Sequence, residues 1–423
     1  MHYEDSAEFA ARLDRDDPLA GFRDQFEFPD ERNGHPPVYL CGHSLGLQPK
    51  LAARYVSEEL SEWARRGVEG HFEAARPWVS YHRNATGALA ALTGSNESEV
   101  VAMNTLTVNL HVLMSGFYRP DSQRRKIVIE STAFPSDRYA AASQIRMRGH
   151  DPGHDLLEWQ PRDDQLLYLD DLAELLEREG EQTALLLLPG VQYFSGQVLD
   201  MPGICDLARN HGCKVGFDLA HAIGNIALDL HEWGPDFAAW CGYKYLNAGP
   251  GAIAGAFVHE RHLAPGNLDQ LHGWWGNDEA TRFEMRDEFD PAPGADLWQL
   301  SCPPVLSFAP VLASLEIFTD ADLSRLIEKS RRLTGYLAWL IARRFEGRIE
   351  IITPAEERGC QLSLVVQDKT ADPRQVFRNL TDLNVIGDWR EPDVIRIAPA
   401  PLYNSYGDVF ACAERLQLAL DAA

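Results

Sequence analysis

An acid, a histidine and a lysine fall within residues 214–251 in an order that could do chemistry. Asp218 ends a short apolar run, His221 follows three residues later, and Lys244 stands between Tyr243 and Tyr245 ahead of a turn rich in Gly and Asn. A carboxylate at the end of a buried strand can hold a proton on a heterocyclic nitrogen, and a lysine in apolar aromatic company can shed its proton and attack an aldehyde. Those are the two demands of pyridoxal 5'-phosphate (PLP) chemistry. Each residue alone has a plainer use: an Asp there caps a helix or turn, and a Lys among tyrosines runs its stem past them to solvent. It is the combination that raises the PLP reading.

Other residue types fit a ligand of that kind. Thr105, Leu106 and Thr107 open a helix, where free N–H groups and hydroxyls suit a phosphate, although an ordinary cap would use the same residues. Phe134 could cover a planar ring or serve the core, and Asp137 lies one turn on. Arg396 alternates out of phase with Ile395 and Ile397, so it faces solvent or a cleft. Glycines flank His43 and Ser44 and permit close approach to a ligand or a bare turn. His71 in an irregular stretch, and Trp274 with Trp275 in a loop, are open to structural or site roles alike. No GxGxxG or GxxxxGK motif supports a dinucleotide or P-loop site.

The elements that must position these residues read as an α/β chain. Residues 126–130, 183–189 and 214–217 are short apolar strand candidates separated by helical periodicity, the pattern of parallel strands with crossover helices. The run TALLLLP is the most apolar and reads as a central strand, with residues 190–196 opening onto the ligand crevice. Helices are expected over 49–67, 79–92, 201–211, 305–318 and 322–344, with Gly212 ending the third by a left-handed cap. Residues 22–34 look too polar for a core element, and 259–297 resist assignment. The last hundred or so residues alternate strand and helix as a smaller α+β unit beyond a hinge near 300–310.

Bulk properties narrow the partners. The chain has 423 residues, 45% of them hydrophobic, enough for two or three domains. With 39 basic against 63 acidic residues the formal charge is −24, which disfavours nucleic acid or an anionic membrane as partner. Seven scattered cysteines without a CxxC pair imply no metal site and fit a reducing compartment. The acidic start and the lack of a membrane-length apolar run lead to an expectation of a soluble cytoplasmic protein.

FDLAHAIGN and WCGYKYLNAGPG resemble kynureninase, as do LCGHSLGLQPK, GVEGHFEAARPW, MNTLTVNLHVLM, STAFPSDRY, GVQYFSGQ, HGWWG, SCPPV and IRIAPAPLYNSYGD, from about residue 40 to about 408. The resemblance implies PLP fold type I, with a large domain on a mainly parallel sheet flanked by helices and a smaller C-terminal α+β domain. It divides the chain into an arm over 1–50, a PLP domain over 51–305 and a small domain over 306–423. The activity implied is hydrolysis of L-kynurenine to anthranilate and L-alanine in a homodimer, with 3-hydroxykynurenine a poorer substrate.

The resemblance also assigns roles. Lys244 forms the Schiff base and carries protons, and Tyr243 protonates the alanyl fragment. Asp218 pairs with the ring nitrogen, assisted by Asp137, while His221 supports the ring and Phe134 stacks on it. Leu106, Thr107, Tyr243 and Trp274 surround the phosphate, and Arg396 holds the α-carboxylate. His71, Ser44, Trp275 and the region of Cys302, which also borders the cofactor, lie toward the aromatic end of the substrate, some across the dimer interface. His43 and Cys302 depart from residues found in other members. A cysteine desulfurase or aminotransferase of the same fold, or a noncatalytic PLP-fold binding protein, are the competing readings.

Overall fold

Thr183–Pro189 is the buried middle strand its composition suggests, every residue of it out of solvent, in a computed structural model that describes residues 2–264, 266 and 268–423. It lies in a seven-stranded sheet whose order is Val100–Ala102, Gly255–Val258, Phe237–Trp240, Lys214–Asp218, Thr183–Pro189, Lys126–Glu130, Leu156–Trp159. Gly255–Val258 runs antiparallel to both neighbours, and the pairings from Phe237–Trp240 to Leu156–Trp159 are all parallel. Parallel strands need crossover helices, and these bury both faces of the sheet, which is why the strands read as continuous apolar runs. Glu130, Pro189 and Asp218 are the last residues of three adjacent parallel strands, so their side chains gather at one edge of the sheet.

Local sequence explains the close fit. A Cβ on Gly216 would stand 2.1 Å from the Phe237 ring of the adjoining strand, so only glycine lets the two pack at that point. Met201–His211 ends as expected at Gly212, with φ 68°. Helices Lys50–Arg66 and Val305–Ala321 pack together beside the sheet, and Phe308, Leu312, Leu315 and Phe318 join its core.

A four-stranded antiparallel sheet, ordered Ile349–Ile351, Leu362–Val366, Val394–Ile397, Asp388–Arg390, makes a second unit. Its separate core takes Leu333, Leu337, Leu340 and Ile341 from Leu323–Arg344, Val409 and Leu416 from Tyr406–Asp421, and Phe9 and Leu13 from Ala7–Arg15. The arm also adds Val38–Tyr39 in parallel to Val385–Ile386, which docks residues 41–47 over the large unit. Within the stretch that looked too polar for a core element, Phe26 is buried and packs edge-on to Tyr403 at 5.2 Å. The short strands Val385–Ile386 and Asp388–Arg390 carry too few residues to show a period and go unnoticed in the sequence.

Candidate active site

The edge of the sheet where Glu130, Pro189 and Asp218 end carries a cavity of about 150 Å³. Nine of the residues singled out in the sequence line it: Thr105, Leu106, Thr107, Phe134, Asp137, Asp218, His221, Tyr243 and Lys244. Parallel α/β sheets place ligands at this edge because loops diverge there and helix N-termini point inward. Leu106–Phe117 presents its first turn to the cavity, where the Thr107 hydroxyl lies 2.7 Å from that of Ser136. Among the described residues no lysine or arginine other than Lys244 lines the space, so an anion at this helix start would be met by hydroxyls and backbone N–H groups.

Lys244 is held by a turn that a second segment overlies. Asn247 takes φ 54° and donates its N–H to the Lys244 carbonyl at 2.9 Å. Gly46 donates its N–H to the Tyr243 carbonyl at 2.9 Å, and a Cβ there would stand 2.4 Å from the Lys244 oxygen. That contact is why glycine follows His43, Ser44 and Leu45. The Lys244 ammonium lies 5.8 Å from the Phe134 ring centre. Phe134 itself is 40% exposed at the start of Pro135–Met147, leaving its ring available to a planar partner.

The cavity holds three carboxyl groups and one lysine, and burial sets their protonation. Asp218 is buried and receives the Ala220 N–H at 2.7 Å. Burial raises its pKa and Lys244 partly offsets this. Asp137 is pushed well above the carboxylate range by burial, then by Asp218 and Glu130, and so keeps its proton, while its Oδ1 is buried without a hydrogen-bond partner. Glu130 is pushed up to about 8 by burial. His221, lowered by burial and by Lys244, is neutral, and its Nδ1 has no partner. Three carboxyl groups facing one lysine suit a cationic heterocycle: one acid to charge, a second to hydrogen-bond it, and an open aromatic face alongside. These residues therefore fit PLP, with the hydroxyl-lined helix start for its phosphate.

The remaining candidates separate into two groups. Arg396 and Ser44 lie beyond Tyr193, whose ring meets Phe134 edge-on at 5.2 Å and whose carbonyl accepts from Arg396 Nη1 at 2.6 Å. Arg396 is fully buried and, like Ser44, is not among the residues that line the cavity. His71, Trp274, Trp275 and Cys302 do not line the cavity. His71 meets the Val68 carbonyl at 3.0 Å and the edge of Trp78. Trp274 is half exposed with its indole N–H on the Arg282 carbonyl, Trp275 is buried under the Arg282 guanidinium, and Cys302 is exposed. Phe283 ties Trp274 to Phe72, so His71 and Trp274 share one exposed apolar region.

Sequence reasoning missed Glu130, Ser136, Tyr193, Asp388 and Arg390. Glu130 carried the signal used for Asp218, an acid closing a buried apolar strand. Ser136 is the second residue of Pro135–Met147, Tyr193 lies in the 190–196 loop read as opening onto the crevice, and Asp388 and Arg390 ride a three-residue strand that gave no signal. Elsewhere Glu99, His231 and His259 bring possible metal-ligand atoms within 4.8 Å of one another. Glu99 there accepts from the N–H groups of Asn96 and Glu260, at 2.9 and 2.8 Å, and meets His231 at 3.0 Å, so it joins local backbone.

Comparison with known proteins agrees with this geometry. Residues 326–416 match the family model described as the kynureninase C-terminal domain. The chain is 51% identical over 418 residues to a kynureninase of Myxococcus xanthus, covering 98% of this chain and 97% of the relative. It is 49% identical over 416 residues to one of Koribacter versatilis, covering 98% and 97%. Among solved structures it superposes on a cysteine desulfurase of Escherichia coli with TM-score 0.78 and 19% identity, covering 96% and 98% of the two chains. A desulfurase of Thermococcus onnurineus gives 0.76 at 15% identity, covering 92% and 95%. At such identities the structures speak for the fold alone, a PLP fold type I architecture with a large α/β domain and a smaller C-terminal one.

Proposed function

The chain belongs to the kynureninase family, and from that premise we propose how its residues divide the work of the reaction. The enzyme uses PLP to hydrolyse the Cβ–Cγ bond of L-kynurenine, yielding anthranilate and L-alanine in tryptophan catabolism. The observation that carries the residue assignment is the buried Asp218 and Asp137 pair beside Lys244, opposite a hydroxyl-lined helix start. When bound, PLP supplies an aldehyde carbon for an amine and a cationic ring that takes up electrons from the substrate α-carbon.

Asp218 would hold the ring nitrogen protonated, with the Asp137 proton steadying its charge. Phe134 would cover the ring, His221 would support it, and Leu106, Thr107 and Tyr243 would surround the phosphate, with Trp274 and Cys302, which do not line the cavity of their own chain, reaching it from a second subunit. Lys244 Nζ takes the proton from the substrate α-carbon and returns one there after the Cβ–Cγ bond has broken. Water adds to the γ-carbonyl, the Cβ–Cγ bond breaks with its electron pair on the alanyl side, and Tyr243 delivers a proton to that carbon. Burial pushes the Tyr243 phenol up, so it holds its proton until the carbon demands it. Arg396 would hold the α-carboxylate, a role suited to a planar donor set.

His71 and Trp275 would meet the aromatic end, from a second subunit, while the Ser44 hydroxyl sits on Arg396 at the carboxylate end. A homodimer is supported by the apolar surface around His71, where Trp63, Val68, Phe72, Phe283 and Met285 are exposed. A cytoplasmic location is supported by seven free, scattered thiols. L-Kynurenine is proposed as the better substrate and 3-hydroxykynurenine as the poorer, which their relative turnover decides. The deciding experiment incubates holoprotein with L-kynurenine and separates the products by chromatography. Anthranilate and alanine should appear in equal amounts, and release of neither, with PLP occupancy confirmed, would sink the assignment.

A further inference from the structure

Arg396 is buried completely, and its hydrogen bonds commit most of its donors within the protein. Nε donates to Asp388 Oδ1 at 2.7 Å, and Nη2 donates to Asp388 Oδ2 and to Ser44 Oγ, the latter at 3.2 Å. Nη1 gives one hydrogen to the Tyr193 carbonyl at 2.6 Å. Of the five N–H hydrogens of a guanidinium, only the second on Nη1 is uncommitted. Asp388 stands directly opposite Arg396 in the ladder between Asp388–Arg390 and Val394–Ile397, so the pair is set by the register of the sheet.

Asp388 binds more than Arg396. The Ser44 hydroxyl donates to Oδ2, Arg390 Nη2 donates to the same oxygen at 3.0 Å, and His43 Nε2 stands 3.3 Å from Oδ1. Burial lowers the His43 pKa to about 4, so that ring is neutral at ordinary pH. Two arginines and one aspartate therefore leave a single positive charge, which one carboxylate neutralises. Arg390 Nε is a buried donor without a partner, and the Arg390 and Arg396 guanidiniums each lie 5.9 Å from the centre of the Tyr193 ring.

We propose that Asp388 is a positioning residue that grips Arg396 by its Nε and Nη2 edge and, with Arg390 as a second cation, builds a receptor of net charge +1 for the substrate α-carboxylate. This rests on the assignment of Arg396 as the carboxylate anchor. The fixed edge keeps Arg396 from rotating, so binding the substrate spends little on ordering the side chain. The single residual charge selects a monocarboxylate over its neutral amide. A merely structural Asp388 would steady the fold and leave that selectivity alone.

The test measures dissociation constants of L-alanine and L-alaninamide on the holoenzyme, from their effect on the visible absorption of the cofactor, in wild type, Asp388→Asn, Arg390→Gln and Arg396→Gln. Asp388→Asn should weaken L-alanine by about tenfold or more while changing L-alaninamide little, and should raise KM for L-kynurenine more than it lowers kcat. Arg390→Gln should weaken L-alanine severalfold with the amide again unchanged. If Asp388→Asn binds L-alanine as well as or better than wild type, Asp388 does not position Arg396 and the proposal falls. If Arg396→Gln keeps the preference for L-alanine over its amide, the anchor assignment falls instead. Should Asp388→Asn not fold, Arg390→Gln carries the test, and unchanged L-alanine affinity in it overturns the receptor.

Discussion

Two buried carboxylate centres stand on either side of Tyr193, and they are built on opposite plans. In the cavity Asp218, Asp137 and Glu130 face one lysine, and burial drives all three pKa values up. Across Tyr193 a lone Asp388 is gripped by Arg396, Arg390, Ser44 and His43. Burial would raise it too, but the His43 and Arg396 contacts hold it well below the usual carboxylate range. One centre keeps its surplus acids protonated and leaves Asp218 for a cationic partner, and the other has one cation to spare. A protein that carries both must complete them with ligands of opposite sign: a cationic ring in the first, an anionic carboxylate in the second. The substrate and cofactor together supply those two charges, so the contrast is a map of what the site binds.

The contrast breaks most completely at Lys244. Lys244→Ala removes the one cation facing three acids as well as the proposed proton carrier, and turnover measured by anthranilate release should fall by about 10³-fold or more. A variant within tenfold of wild type would remove Lys244 from the reaction. Next comes Asp218→Asn, which keeps the shape and deletes the charge. Its kcat should fall by about 10²- to 10³-fold with weaker cofactor retention, and turnover near wild type would mean that another acid serves the ring.

How much of this contrast the residues announce depends on where they sit. The cavity centre was largely legible, because each acid or base closes or follows a regular element: Asp218 ends an apolar strand, Asp137 begins a helix, Lys244 precedes a Gly-rich turn. Periodicity locates such elements, and site residues come with them. Glu130 obeyed the same rule and was passed over. The arginine centre was half legible: the phase of Arg396 pointed it to solvent or a cleft, where the structure buries it completely, and Asp388 and Arg390 ride a three-residue strand whose pairing depends on residues 362–366 and 394–397 far from any local signal. His71, Trp274, Trp275 and Cys302 were named by resemblance, and no spacing rule within one chain could have shown that they stand away from the cavity.

Glu130 sharpens the comparison without touching the chemistry. Its folded pKa is raised from 4.5 to about 8, so between those values the folded protein holds a proton that the unfolded chain has lost. The sign follows: this contribution is fully present at low pH and is lost as pH rises through that window. Glu130→Gln in the cofactor-free protein should flatten the fall in urea midpoint between about pH 5 and pH 8, by an amount on the order of a few kcal/mol or less. An unchanged slope would show that Glu130 is not the buried proton holder. Asp388 should contribute with the opposite sign, its stabilisation lost only as pH falls below the carboxylate range.

The smallest effect belongs to Ser44, and its size is the informative part. Ser44 bridges Asp388 and Arg396 by its hydroxyl, but Asp388 keeps both arginines when that bridge is gone. Ser44→Ala should therefore cost only about 0.5–1.5 kcal/mol in binding of the substrate carboxylate, read as a KM roughly 2- to 10-fold higher with kcat nearly unchanged. The cavity centre has less redundancy, since Lys244 is the cation acting on both Asp218 and Asp137. A hundredfold loss at Ser44 would mean that its hydroxyl reaches the substrate itself, and the arginine centre would then be as sparsely held as the acid one.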